Sequence, residues 1–216
     1  VILISSEMPE VLGMSDRVVV LSEGVKKGDP VLLILKRSYL FWVITLALNK
    51  IGAIMVPASN MLKGKDYVYR CNKAKIKYAV ITGDDSCTEY FDEKKDEYET
   101  IEKKFVTKHK EIEGWIDFEE GFEKASEEWT RPTGDAATTV DDTMIINFSS
   151  GTTGYPKIIA HDFKYPLGHI MTGVFWHRVV DGGMHFTVSD SGWAKSLWGK
   201  YYGQWMGETA NFVYDF

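Results

Sequence analysis

The residues Ser149-Ser150-Gly151-Thr152-Thr153-Gly154-Tyr155-Pro156-Lys157 gather hydroxyls, glycines and an ammonium into one short stretch suited to holding a polyanion. Gly151 and Gly154 permit positive φ and close backbone approach to a ligand. Exposed N–H groups there, with the hydroxyls of Ser149, Ser150, Thr152 and Thr153, can surround an anion. Lys157 adds a point charge of the kind that binds phosphate. Apolar runs flank the stretch, Met144 to Phe148 before it and Ile158-Ile159-Ala160 after it. The pattern predicts a strand, a tight loop and a second strand. The nucleoside-triphosphatase P-loop is a different object, with Gly-x-x-x-x-Gly-Lys-Ser/Thr opening a helix. Here the glycines stand three apart and Lys157 follows a proline.

From Ser149 to Lys157 the text meets each constrained position of the Ser/Thr-Ser-Gly-Thr-Thr-Gly-x-Pro-Lys signature, and so resembles the phosphate loop of AMP-forming acyl-CoA synthetases in the adenylate-forming superfamily. The bland reading of the same residues is a flexible polar loop between strands. The resemblance continues outside the loop. His161-Asp162-Phe163-Lys164-Tyr165-Pro166-Leu167-Gly168-His169 and the Asp190-Ser191-Gly192-Trp193 turn are similar to segments of the medium-chain-type enzymes. So are Gly24 to Asp29, Gly52 to Ala58, and Tyr69 to Asn72.

Composition bounds the rest. The chain has 216 residues, 44% of them hydrophobic and 13% aromatic, enough for one domain or two small ones with ample core. A net charge of −6 gives no support for nucleic-acid binding, so the phosphate site must be positive locally. Two cysteines, Cys71 and Cys87, have neither metal spacing nor a disulfide pattern, which predicts a reducing compartment and a cytoplasmic setting. The most apolar run, Tyr39 to Leu48, is too short to cross a bilayer. The chain starts at Val1 and stops just after a strand-like run, Asn211 to Tyr214, and reads as a fragment.

Residues 1–24 stand apart. They read as strand, helix and strand, and their text resembles a late segment of the ATPase subunit of sugar-importing ABC transporters, without a Walker A loop. The resemblance implies a junction near Glu23-Gly24, dividing a foreign segment, 1–24, from a partial AMP-binding domain, 25–216; the bland reading is an unusual amino terminus of one family member. In the second part, strands are expected at Val31–Leu35, Ala53–Val56 and Tyr78–Thr82, with helices at Tyr39–Lys50 (capped by Ser38, ended by Gly52) and Lys65–Ala74. This alternation implies an α/β fold with a parallel sheet and right-handed crossovers. The charged run from Asp84 to Lys104 predicts a solvated surface helix, and Trp115 to Trp129 a second one. Later come a helix that the segment His161–His169 leads into and that runs through about Val179, a strand at His185–Val188, and one aromatic helix to about Met206 with Ser189 or Asp190 as its cap.

Other groups invite chemistry but carry plainer readings. Arg70 and Asn72 fit a structural helix face better than a pocket. His161 and His169 lack a second ligand at metal spacing, and adenylation of an ionised carboxylate needs no protein base, so structural or pocket-lining roles suit them better. Trp193, Trp198, Tyr202 and Trp205 recur at roughly helical spacing, which usually marks core. The resemblance makes Trp198 a candidate for the acyl pocket. Gly203 and Gly207, as glycines in the same stretch, are candidates for close helix packing.

The resemblance implies a two-step ligase. A carboxylic acid, fatty or other, attacks the α-phosphorus of MgATP to give acyl-AMP and pyrophosphate, and coenzyme A then takes the acyl group. Ser149, Ser150, Gly151, Thr152, Thr153, Gly154 and Lys157 would bind the nucleotide, with Thr152, Thr153 and Lys157 on its β- and γ-phosphates. The Mg²⁺ would be held mainly by phosphate oxygens and waters. The adenine and ribose sites and the mobile catalytic-lysine domain of such enzymes match nothing here. The piece is therefore expected to bind ATP weakly, not to act as a ligase alone, and to risk self-association at an unpaired strand edge. Two other readings stand beside it. A luciferase-like enzyme or peptide-synthetase adenylation domain shares the loop, and a non-catalytic remnant or ABC-type module rests on residues 1–24 alone.

Overall fold

The structure is a computed structural model, and it describes residues 24–125, 128–150 and 154–214. The strand, helix and strand expected within residues 1–23, and their ABC-type resemblance, lie outside the described residues.

Short, nearly continuous apolar runs build a central sheet with helices on both faces. Strands β1 (Pro30–Ile34), β2 (Ile54–Pro57), β3 (Tyr78–Ile81), β4 (Lys103–Val106), β5 (Ile116–Asp117), β6 (Thr143–Ser149) and β7 (Lys157–Asp162) form it. Their spatial order is β5-β4-β3-β1-β2-β6-β7. Neighbours are parallel throughout except β6 and β7, which are antiparallel. Val31 and Leu33 face one side of β1 and Leu32 and Ile34 the other, all four buried, as a central parallel strand requires. Helix α1 (Leu40–Ile51) covers the first face, with Phe41, Trp42, Ile44 and Leu48 against Val31, Leu33 and Met55. Helices α2 (Gly64–Ala74) and α3 (Cys87–Asp92) cover the other through Tyr67, Cys71, Cys87 and Phe91. The βα alternation thus reads through to the sheet. Ser38 Oγ accepts from the Leu40 amide at 3.3 Å at the entry of α1, and Gly52 ends it.

The two charged or aromatic stretches depart from the single helices expected for them. Between 84 and 104 lie α3, a 3₁₀ turn at Lys95–Glu97 and the start of β4. The charges mislead because aromatic rings anchor the segment. Phe91 is fully buried, stacked on Tyr98 at 4.4 Å and edge-on to Trp115 at 5.7 Å. Asp92 accepts from Trp115 Nε1 and pairs with Lys104, each at 2.6 Å. Between 115 and 129, Ile116–Asp117 adds an edge strand to β4, and only Phe118–Lys124 is helical (α4), capped by Asp117 on the Glu120 amide at 3.0 Å.

Past the β6–β7 hairpin, the chain packs back on the α1 face. Helix α5 (Tyr165–Ile170) runs into a π-helical turn, Met171–Trp176. The strand expected at 185–188 is shorter, β8 (Met184–His185), paired in parallel with β9 (Ala210–Asn211). The expected single helix from 189 to 206 is two: α6 (Ala194–Gly199) and α7 (Tyr202–Trp205). Local spacing cannot reveal the break, because its cause is remote. Trp42 Nε1 of α1 donates to the Lys200 carbonyl at 3.0 Å, and Tyr201 turns fully into the core beside Phe41. Asp190 Oδ1 accepts from the Gly192 amide at 2.8 Å and so stabilises the preceding turn instead of capping α6.

Candidate functional site: a phosphate-loop hairpin

Strands β6 and β7 bring the two ends of the signature face to face. Their register pairs Phe148 with Ile158 and Ser149 with Lys157. Lys157 therefore leaves the loop directly across from Ser149, and both lie at the loop end of the hairpin. Ser150 and Lys157 are exposed, and no carboxylate among the described residues pairs with Lys157. Among the described residues, then, no side chain neutralises its ammonium. Gly154 has φ of 103°, in the region L side chains rarely adopt, while open space surrounds the position of its missing Cβ. Glycine is needed there for backbone conformation, not for room. Gly151, Thr152 and Thr153 lie outside the described residues.

Helix α2 supports the hairpin from the side. The Tyr69 ring stacks on Tyr155 at 4.9 Å and 24°, and meets Phe148 edge-on at 6.3 Å. Its hydroxyl donates to the Pro156 carbonyl at 2.8 Å. The Arg70 guanidinium lies 5.3 Å from the Phe148 ring centroid and 3.7 Å from Asp66. Burial lowers its pKa, an effect Asp66 opposes, but an arginine stays charged at any physiological pH. Asn72 has the structural role its helix position suggests. Its amide donates to the Glu97 carbonyl at 2.9 Å and accepts from the Glu99 amide at 3.1 Å.

On the opposite face of the hairpin an aromatic column runs from β7 to α6. His161 contacts Tyr165 at 4.3 Å, Tyr165 contacts His169 at 4.4 Å, and His169 stacks on Trp198 at 5.7 Å and 25°. Trp198 is half-buried there, so it joins the two histidines in one packed series. Burial, with the charges of His161 and His177, holds His169 below its ordinary pKa, so the neutral ring is favoured. No cluster of three metal-ligating side chains occurs among the described residues.

Two features escaped sequence reasoning. Asn147 on β6 is buried, and its side-chain NH₂ has no partner among the described groups. Tyr69 meets the loop from 87 residues away. The alternation of β6 could have flagged Asn147, a polar residue between buried Ile145 and the loop, whereas no local signal points to Tyr69.

A mostly parallel sheet, helices on both faces and a hydroxyl- and glycine-rich hairpin with a following lysine define the adenylate-forming class of fold. Solved structures of that kind superpose well. The anthranilate CoA ligase AuaEII, in complex with anthranoyl-AMP, matches with a TM-score of 0.82 over 95% of this chain and 39% of its own, at 22% identity. An acyl-CoA synthetase from Brucella canis matches with a TM-score of 0.78 over 95% and 36%, at 20% identity. The AMP-binding enzyme family model matches residues 18–191, and the chain belongs to that family. Among curated relatives, the mitochondrial acyl-coenzyme A synthetase ACSM3 of Mus musculus is 32% identical over 182 residues, 84% of this chain and 30% of the relative. The human ACSM3 is 32% identical over 190 residues, 87% and 31%. ACSM5 of Mus musculus is 29% identical over 193 residues, 89% and 32%. The chain thus spans about a third of the length of these relatives.

These relatives overturn the cytoplasmic setting expected from the cysteines, since all three are named as mitochondrial proteins. The physical reason is simple. Cys71 and Cys87 are free and buried, and unpaired thiols report a reducing environment without saying which one.

Proposed function

We propose that this chain carries the phosphate-binding hairpin of an AMP-forming acyl-CoA synthetase, which activates a carboxylic acid with MgATP and passes the acyl group to coenzyme A. The observation that carries the reading is the register of Ser149 against Lys157 at the mouth of the hairpin, with an unneutralised ammonium and a positive-φ glycine between them. Negative charge builds on pyrophosphate as it leaves, and donors fixed in advance stabilise it without reorganising. Ser149, Ser150, Gly151, Thr152, Thr153, Gly154 and Lys157 are the nucleotide contacts in this reading. Mg²⁺ would enter with the nucleotide and would help offset the negative charge of its phosphates. Trp198, stacked at the end of the aromatic column, lines the acyl side. A mitochondrial setting accompanies this reading, as in the relatives.

The test is a thermal melt of the chain with and without MgATP, repeated on Lys157→Ala. A ligand that binds only the folded state stabilises it, by about 2.7 kcal/mol at a hundred times its Kd. The parent's midpoint should rise with MgATP, and the variant, with an unchanged ligand-free melt, should lose most of that rise. An equal rise in both would remove Lys157 from the site.

A further inference from the structure

Lys157 can act on phosphate only if its backbone is held where the side chain reaches the loop mouth. Two things hold it in the described structure: pairing with Ser149 across the hairpin, and the peptide immediately before it. That peptide begins at the Pro156 carbonyl, the group to which Tyr69 Oη donates. The same ring lies flat on Tyr155 and edge-on to Phe148, so one side chain of α2 touches the hairpin both before and after the loop. Proline biases residue 155 toward extended backbone, and the hydrogen bond then fixes the orientation of the next peptide plane. The Tyr155 ring is 71% exposed, so its stacking on Tyr69 supplies most of what restrains it. Helix α2 is itself rigidly seated, with Tyr67 and Cys71 fully buried against the sheet. Tyr69 therefore transmits the position of a core helix to the loop exit.

We propose that Tyr69 is a positioning residue for Lys157, pre-organising the exit of the phosphate loop before nucleotide arrives. The proposal rests on the phosphate-loop reading above for its functional consequence, though the restraint on 155–157 stands on geometry alone. Without Tyr69 the segment must be ordered during binding, and that entropy is subtracted from affinity. Tyr69→Phe keeps the stacking and loses the hydrogen bond. Tyr69→Ala loses both.

Two measurements on the full chain test it. Amide hydrogen exchange without ligand reads the restraint directly. Tyr69→Ala should speed exchange in peptides covering 155–162, Tyr69→Phe should do so less, and peptides from β1, β3 and β4 should not change. MgATP affinity reads the consequence, with a loss of roughly tenfold for the alanine variant and roughly threefold for the phenylalanine variant, the scale of one to two modest interactions. Unchanged exchange at 155–162 in Tyr69→Ala would overturn the proposal. So would faster exchange across the whole sheet with a lowered ligand-free melt, which would make Tyr69 an ordinary packing residue. Normal MgATP affinity in both variants, with locally faster exchange, would also overturn it, because the restraint would then not serve binding. If the parent itself binds no MgATP, the phosphate-loop reading fails, and with it the positioning role, while the exchange data still report the restraint on 155–157.

Discussion

At the scale of single residues, the site combines groups whose chemistry is intrinsic with groups whose chemistry depends on packing. Lys157 brings its ammonium by residue type and needs its backbone held at the loop mouth. His169 is different, because its ring is partly buried between Tyr165 and Trp198 and its pKa falls below the ordinary imidazole value. His185 shifts in the same direction, also through burial first and His177 second. A depressed folded-state pKa means the unfolded chain takes up the proton at a higher pH than the native one does. The stability these residues contribute is present above about pH 6.5 and is lost as pH falls through the folded pKa. The melting midpoint should therefore drop as pH falls below about 6.5, and His169→Gln should flatten that slope while lowering the midpoint at neutral pH. A slope identical to the parent's would show that His169 does not titrate as its surroundings require.

At the scale of elements, helix packing after the hairpin depends on glycines in facing backbones. A Cβ on Gly173 in the π-helical turn would overlap the Gly203 carbonyl, and one on Gly203 would overlap the Trp198 carbonyl. A Cβ on Gly207 would likewise run into the Val179 side chain. Close packing at Gly203 and Gly207 matches the expectation, and the backbone against Gly203 belongs to α6 and the π-helical turn. Gly203→Ala should destabilise by about 1–3 kcal/mol through overpacking, read as a lower denaturant midpoint with an unchanged slope. A neutral effect would mean the α7 backbone can shift to make room. In the same region helical periodicity outruns the helices themselves. Periodicity from 189 to 206 is continuous, yet Trp42 captures the Lys200 carbonyl and divides the helix.

At the scale of the whole molecule, the strand order places β1 between β2 and β3, and parallel sheets of this kind ordinarily bind ligands in the crevice beyond such a strand's carboxyl end. Here that end is covered. Ser191 Oγ donates to the Lys36 carbonyl just after β1, and Gly192 lies against the Ala58–Ser59 peptide just after β2. The candidate site sits instead on the added antiparallel hairpin β6–β7. The core beneath holds both thiols, Cys71 pushed up to about 12 by burial and Cys87 raised for the same first reason. Neither should react with a thiol reagent at pH 8 in the native state, and both should react after unfolding, because the thiolate is the nucleophile. Native-state labelling at a free-thiol rate would contradict the packing of α2 and α3 on the sheet.

The sequence by itself determined the features that depend on neighbouring residues: the loop from Ser149 to Lys157, the βαβ alternation from 30 to 81, and the family resemblance those texts carry. Consecutive residues fix a loop's glycines and hydroxyls, and hydrophobic period fixes which face of a strand or helix is buried. Tertiary structure alone decided what distant segments bring to each other. It ordered the 84–104 run around Phe91, split the aromatic helix with Trp42, left the Asn147 side-chain NH₂ without a partner among the described residues, and set Tyr69 against Pro156. Such pairings join side chains tens of residues apart, and they become visible only once the sheet has fixed where each helix lies.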